Sequence, residues 1–159
     1  MRTTLSVFLS LSLFALSVHG QSGSEDPKLE HYVNDPLGFS MLVPCTPEAL
    51  PGTFEKADHI IACGTTPQVM IAIDLHPPAA DRDLDDYIKR EVVTEPTPTV
   101  SRTEVDGSEA RRVSCSIQGL DQLMLVVLHK DALYIVSVLQ RSGSGNDLGP
   151  KILDSLKFL

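Results

Sequence analysis

The chain has 159 residues and carries 13 basic and 21 acidic side chains, which give a formal net charge of −8. A surface this acidic repels phosphate backbones and anionic lipid head groups, so we expect no nucleic-acid partner and no electrostatic docking to a membrane. The length suits one domain that can bury a sizeable core.

The first twenty residues have the pattern of a secretory signal peptide. Arg2 gives the start a positive charge, an apolar run covers residues 5–18, and Val18 and Gly20 fit the −3 and −1 positions of a cleavage site. A membrane anchor is the alternative, but about 14 helical residues would cross only about 21 Å of a hydrocarbon layer about 30 Å thick. We predict cleavage after Gly20 and a secreted or periplasmic protein with no membrane partner. Losing Arg2 with this segment changes the net charge from −8 to −9.

Residues 21–31 are polar and contain a proline, which predicts a flexible tether before a single domain over residues 32–159. Alternating apolar side chains predict strands at residues 38–43, 59–63 and 68–75. A helix is expected to begin after Asp83, because aspartate is a good N-cap residue. The acidic side chains of Asp85 and Asp86 also suit the positive end of a helix.

Asp106-Gly107 is the clearest hairpin signal and predicts a tight turn between strands at residues 99–105 and 108–117. The next two strands, at residues 123–129 and 133–140, are almost continuously apolar, as expected at the centre of a sheet that is covered on both faces. A last helix over residues 148–156 would supply part of that cover. The predicted fold class is α+β, with a mainly antiparallel sheet of about six or seven strands and helices on both faces.

The three cysteines follow the predicted signal peptide, in a compartment that permits disulfide bonds. Strand alternation points Cys115 inward beside Val113 and Ile117, which predicts a buried thiol. Cys45 and Cys63 then remain as the predicted disulfide pair, and their crosslink would stabilise the fold by about 3 kcal/mol.

Two groups of side chains raise the question of a chemical site. The run of carboxylates at residues 81–86 begins like a calcium loop, but Asp86 stands where the loop needs glycine and Val92 where it needs a bidentate glutamate. Cys63, Asp74 and His76 could form a catalytic arrangement if their strands brought them together. We predict no catalytic residue, no metal site and no cofactor. An uncharacterised enzyme and a weak calcium-binding protein remain the alternatives.

Several short segments resemble those of the Mog1/PsbP-like family of α/β/α sandwiches, which includes small exported bacterial proteins. The resemblance covers most of residues 32–159 and rests on an early strand that ends in proline, a mid-chain helix, the hairpin, an apolar strand and the final segment. In this sequence these are Gly38-Phe39-Ser40 to Pro44, Leu84-Asp85-Asp86-Tyr87-Ile88, residues 105–112, Leu133-Tyr134-Ile135-Val136 and residues 152–158.

The resemblance implies a binding module rather than an enzyme. One family member contacts a nuclear GTPase and another assists the oxygen-evolving complex of photosynthesis, and neither role transfers to this chain residue by residue. We therefore expect an exported, non-catalytic binding or assembly module whose partner is an unknown protein or small ligand. The loops at residues 44–58 and 141–147 are the predicted contact regions, since function is often carried on loops.

Overall fold

The computed structural model describes residues 27–50, 57–64, 67–77, 82–92, 97–142 and 147–159. The predicted signal peptide and most of the predicted tether lie outside these residues. In chain order the elements are β1 (Glu30–Asn34), β2 (Phe39–Val43), β3 (Glu48–Leu50), β4 (His59–Cys63), β5 (Gln68–Asp74), α1 (Leu84–Glu91), β6 (Thr99–Val105), β7 (Ser108–Ile117), β8 (Leu120–His129), β9 (Ala132–Arg141), α2 (Leu148–Asp154) and β10 (Lys157–Phe158).

The larger sheet has seven antiparallel strands in the order β3-β4-β5-β9-β8-β7-β6. The apolar strands β8 and β9 lie inside it, with β9 in the middle position, as their composition predicts. The β6–β7 hairpin has the predicted bounds. Asp106 and Gly107 adopt φ angles of 48° and 76° in its turn, a left-handed conformation that these two residue types tolerate.

A second sheet of three strands, in the order β1-β2-β10, was not predicted. The strand expected at residues 38–43 belongs to this sheet, and the expected tether ends earlier because Glu30 already pairs with Val43. Phe39, Met41 and Val43 of β2 are almost completely buried in the largest apolar cluster. The flanking strands carry little apolar periodicity because their side chains are mostly exposed or half-buried.

Helix α1 begins as the sequence predicts. The side chain of Asp83 accepts hydrogen bonds from the backbone N–H groups of Asp85 and Asp86 at 2.9 and 3.1 Å. The buried residues of α1 form an apolar cluster with side chains of β7, β8 and β9, among them Met124 and Val126. None of the helices within the described ranges is long and apolar enough to cross a membrane.

Helix α2 is shorter than predicted and ends at Asp154, because the chain turns there into β10. Ser155 lies at this turn, where its hydroxyl donates to the carbonyl of Ile152 and accepts from the N–H of Leu42 in β2. Ile152 and Leu153 belong to the larger apolar cluster, together with Leu125 and Val127 of β8. Helix α2 is thereby attached to both sheets.

Cys45 and Cys63 form the predicted disulfide bond, with their Cα atoms 5.8 Å apart. The bond joins the segment that follows β2 to the end of β4, so it connects the small sheet to the large one.

The third cysteine, Cys115, is less buried than the sequence predicts. This thiol is half-buried, and its Sγ lies 3.9 Å from Oε1 of Gln122 on the neighbouring strand, because the end of β7 extends beyond the cover of α1.

Candidate functional site

The structure does not assemble the arrangement of Cys63, Asp74 and His76 that the sequence allowed. Cys63 is oxidised in the disulfide and pairs with Val69 at one end of β5, whereas Asp74 lies at the other end. Asp74 lies five residue steps along the strand from Val69, which is about 17 Å. Asp74 accepts a hydrogen bond from the backbone N–H of His76, whose side chain is exposed. These residues therefore share no reaction centre.

The carboxylates near the start of α1 take part in contacts within the protein. Asp83 caps the helix, Asp86 lies 3.7 Å from Lys89 Nζ, and Asp85 binds Arg111. Asp81 lies outside the described residues. Across the described ranges there is no group of three or more histidine, cysteine, aspartate or glutamate side chains that could hold a metal ion.

A groove of about 220 Å³ runs beside β6, at the margin of the large sheet. Its apolar floor is formed by Leu125, Leu153 and Leu156, which are 1–3% exposed. The rim is charged and includes Arg112, which forms an ion pair with Asp154 at the end of α2. This volume is below the range of about 300–1,000 Å³ typical of small-molecule pockets.

Among the described strands, none pairs with the outer edge of β6, which runs alongside this groove. Strand β6 is the last strand of the large sheet, and its seven residues contain neither proline nor glycine to interrupt a ladder. The opposite edge strand, β3, has only three residues. A long, regular edge strand presents a row of N–H and C=O groups on which another strand can pair.

The hairpin turn determines which backbone groups of β6 point away from the sheet. A two-residue turn makes its flanking residues, Val105 and Ser108, a hydrogen-bonded pair. Since hydrogen-bonded and non-hydrogen-bonded pairs alternate, the N–H and C=O groups of Val100, Arg102 and Glu104 point outward. No described residue forms a hydrogen bond with these outward groups.

An ion cluster around the buried guanidinium of Arg111 connects this hairpin to α1. The guanidinium of Arg111, whose side chain is 4% exposed, binds Asp85 through two nitrogens at 2.7 and 3.0 Å and Glu109 at 2.7 Å. Arg102 of the edge strand also binds Asp85, at 3.2 Å. The hydrogen bond from Arg111 is the main cause that lowers the pKa of Asp85 to about 2, against a smaller opposing effect of burial.

An aromatic cluster closes the turn end of the hairpin. The rings of His129 and Phe158 stack with their centroids 3.7 Å apart, and Asp106 accepts a hydrogen bond from the backbone N–H of Phe158. Ser108 Oγ lies 2.7 Å from Nδ1 of His129. Hydrolases that use a serine–histidine pair engage the serine through Nε2 and keep Nδ1 for an orienting carboxylate. The pair here links β7 to β8 instead.

A shallower depression of about 450 Å³ lies at the other end of β6, beside the start of α2. Two carboxylates line it, those of Asp121 and Asp147. Asp121 accepts hydrogen bonds from Ser116 and Ser142, both at 2.6 Å, and these two bonds lower its pKa. The carboxylate of Asp121 is therefore committed within the protein, and we assign no site to the depression.

The loops predicted as contact regions lie only partly within the described residues, which omit residues 51–56 and 143–146. That hypothesis stays a prediction. The open edge of β6 was not predicted, although both strands of the hairpin were predicted correctly. One signal was present: β6 has little apolar alternation, and Arg102 and Glu104 lie on one side of it. Exposed strands at sheet edges have this composition.

The two sheets and the hairpin define a PsbP-like fold, and comparison with known proteins places the chain in that structural class. The solution structure of cyanobacterial PsbP (CyanoP) from Synechocystis sp. PCC 6803 is similar at a TM-score of 0.62 with 14% sequence identity, covering 91% of this chain and 99% of that one. The resemblance predicted from sequence is thereby confirmed for the fold.

A second solved structure, from Bacteroides thetaiotaomicron VPI-5482, is similar at a TM-score of 0.51 with 11% identity. The match covers 81% of this chain and 48% of that one. No protein-family model and no curated protein sequence matches the chain. At these identities the likeness extends to the fold alone.

Proposed function

We propose that this protein is an exported, non-catalytic binding or assembly module that takes up an extended strand at the free edge of β6. The observation that carries the proposal is the row of outward backbone groups at Val100, Arg102 and Glu104 beside a groove with an apolar floor. Strand addition to an exposed edge gives affinity through main-chain hydrogen bonds, and neighbouring pockets select alternate side chains. The edge and the groove together meet both requirements.

Support for export comes from the predicted signal peptide over residues 1–20 and from the disulfide. The first twenty residues carry the signal-peptide pattern, and a disulfide is expected to persist in an oxidising compartment. A periplasmic or secreted location follows as part of the proposal.

We also infer that the two helices cover opposite faces of the large sheet, which makes the fold an α/β/α sandwich. Successive residues of β8 support this inference. Met124 and Val126 share a cluster with α1, whereas Leu125 and Val127 share the other cluster with α2. Since successive side chains of a strand point to opposite faces, the two clusters lie on opposite sides of the sheet.

Affinity capture of the tagged protein from its own compartment tests the proposed site. The wild type is compared with Glu104→Pro, which removes one outward N–H and leaves the bonds between β6 and β7 intact. Glu104→Gln is the matched control, because it removes the same charge as Glu104→Pro but keeps the amide. We expect a protein that is retained by the wild type, retained at least in part by Glu104→Gln, and lost from Glu104→Pro. Equal retention by all three proteins would overturn the site.

A further inference from the structure

We propose that the strand taken up at β6 is β6 of a second copy of this chain, so that two large sheets join across a two-fold axis. The inference rests on the proposed function and names the partner. It is carried by two features of the edge: the spacing of its outward backbone groups and the order of its charges.

The backbone restricts the registers in which two antiparallel copies of β6 can pair. The outward groups of one copy must face the outward groups of the other. A residue such as Arg102 can therefore lie opposite Val100, Arg102 or Glu104 of the second copy, but not opposite Ser101 or Thr103. One such register places Arg102 opposite Arg102 of the second copy. Shifting it by two residues places each Arg102 opposite Glu104 of the other copy.

Charge selects the second of these registers. Like charges directly opposite each other destabilise a strand pair, and opposite charges stabilise it. The register that pairs Arg102 with Glu104 creates two equivalent ion pairs related by the two-fold axis. Within one chain Glu104 has no hydrogen bond or ion pair with any described residue, so its carboxylate is available for this contact.

On the neighbouring strand the charges are compensated within each chain. In the register of the hairpin, Arg102 lies opposite Arg111 and Glu104 opposite Glu109. Arg111 binds both Glu109 and Asp85 of its own chain. The charges that distinguish the two registers are therefore those of Arg102 and Glu104 on β6 itself.

The side of β6 that faces the groove accommodates the same register. There Thr103 would meet Thr103 of the second copy at the axis, and Ser101 would meet Val105. Pairs of threonine residues are among the favourable cross-strand neighbours, and none of these side chains is charged. Both sides of the strand are thus compatible with one register.

After the predicted cleavage, the net charge of −9 opposes association of two copies at long range. At an ionic strength of about 0.15 M the Debye length is about 8 Å, so repulsion between distant charges is largely screened. The Arg102–Glu104 contacts lie within the spacing of adjacent strands, about 5 Å, and retain most of their attraction. The dimer is therefore expected at physiological ionic strength.

Sedimentation equilibrium with charge-reversed variants tests the register, using protein purified after export from its host. We expect the wild type to dimerise, and Arg102→Glu and Glu104→Arg each to weaken the dimer by about tenfold or more, because each creates two like-charge pairs. An equimolar mixture of the two variants should associate again. In the mixed dimer one chain carries two negative charges at positions 102 and 104 and the other carries two positive charges, so both contacts join opposite charges.

Lys28→Glu and Asp35→Arg are the matched controls, because they make the same changes in charge at exposed positions outside β6. They should dimerise like the wild type. A wild type that remains monomeric, reversed variants that dimerise normally, or a mixture that fails to associate would each overturn the inference. A monomeric wild type, together with capture of a different protein that is lost from Glu104→Pro, would overturn the self-association but leave the proposed function intact. If both experiments are negative, the proposed function fails as well.

Discussion

His129 shows how a single residue gives this fold a pH dependence. Its ring is half-buried between Phe158 and Ser108, and burial lowers its pKa, assisted by the positive charge of Lys130 and opposed by Asp106. In the unfolded chain the same imidazole binds a proton near pH 6.5. As the pH falls through that value, the unfolded state takes up a proton that folded His129 does not yet bind, so folding is weakened.

We therefore expect the free energy of unfolding of the wild type to fall more steeply than that of His129→Gln as the pH is lowered from about 6.5. Urea unfolding of both proteins between neutral and mildly acidic pH measures the difference. Lys130→Gln should reduce the wild-type effect, because it removes one cause of the shift. A constant difference between wild type and His129→Gln across this range would contradict the assignment.

At the scale of elements, Arg111 is the main polar connection between the hairpin and α1. Its guanidinium binds Asp85 of the helix and Glu109 of its own strand, and the side chain is almost completely buried. Arginine suits this position because its planar fork can engage a carboxylate through two nitrogens. The carboxylate of Asp85 also binds the exposed Arg102 of the edge strand.

Arg111→Ala should lower the free energy of unfolding by about 2–3 kcal/mol, since it removes several charge-assisted hydrogen bonds and opens a buried space. Arg111→Lys should cost less but not restore the wild-type value, because a lysine cannot form the fork. Arg141→Ala at an exposed position is the control and should change stability by less than about 0.5 kcal/mol. The free energy of unfolding is measured by chemical denaturation. A loss for Arg111→Ala as small as that for Arg141→Ala would contradict this role.

Elements with a strong local signal could be predicted from the sequence, and those defined by distant partners could not. Asp83 and the Asp106-Gly107 turn act on their immediate neighbours, so the start of α1 and both strands of the hairpin were predicted correctly. Strand β10 has two residues and exists because Phe158 pairs with Phe39, far away in the chain. No local pattern indicates such a partner.

At the scale of the whole molecule, the open edge of β6 could not be predicted, because it too depends on pairings between distant parts of the chain. Clustered ligands and loops can be recognised in a sequence, whereas an open edge is a property of the order of strands in the sheet. That β6 lies last and β9 lies in the middle depends on pairings across the fold. The charges of Arg102 and Glu104 could be read from the sequence, but their position at an open edge required the topology.

Amide hydrogen exchange along β6 tests the central claim most directly, because strand addition must change the outward amides. It is measured by NMR on dilute protein and on the associated protein, whichever partner is bound. We predict that association slows exchange at the N–H groups of Arg102 and Glu104, while those of Ser101 and Thr103, already bonded to β7, change little. Unchanged exchange at Arg102 and Glu104 in a protein that has demonstrably associated would contradict the account.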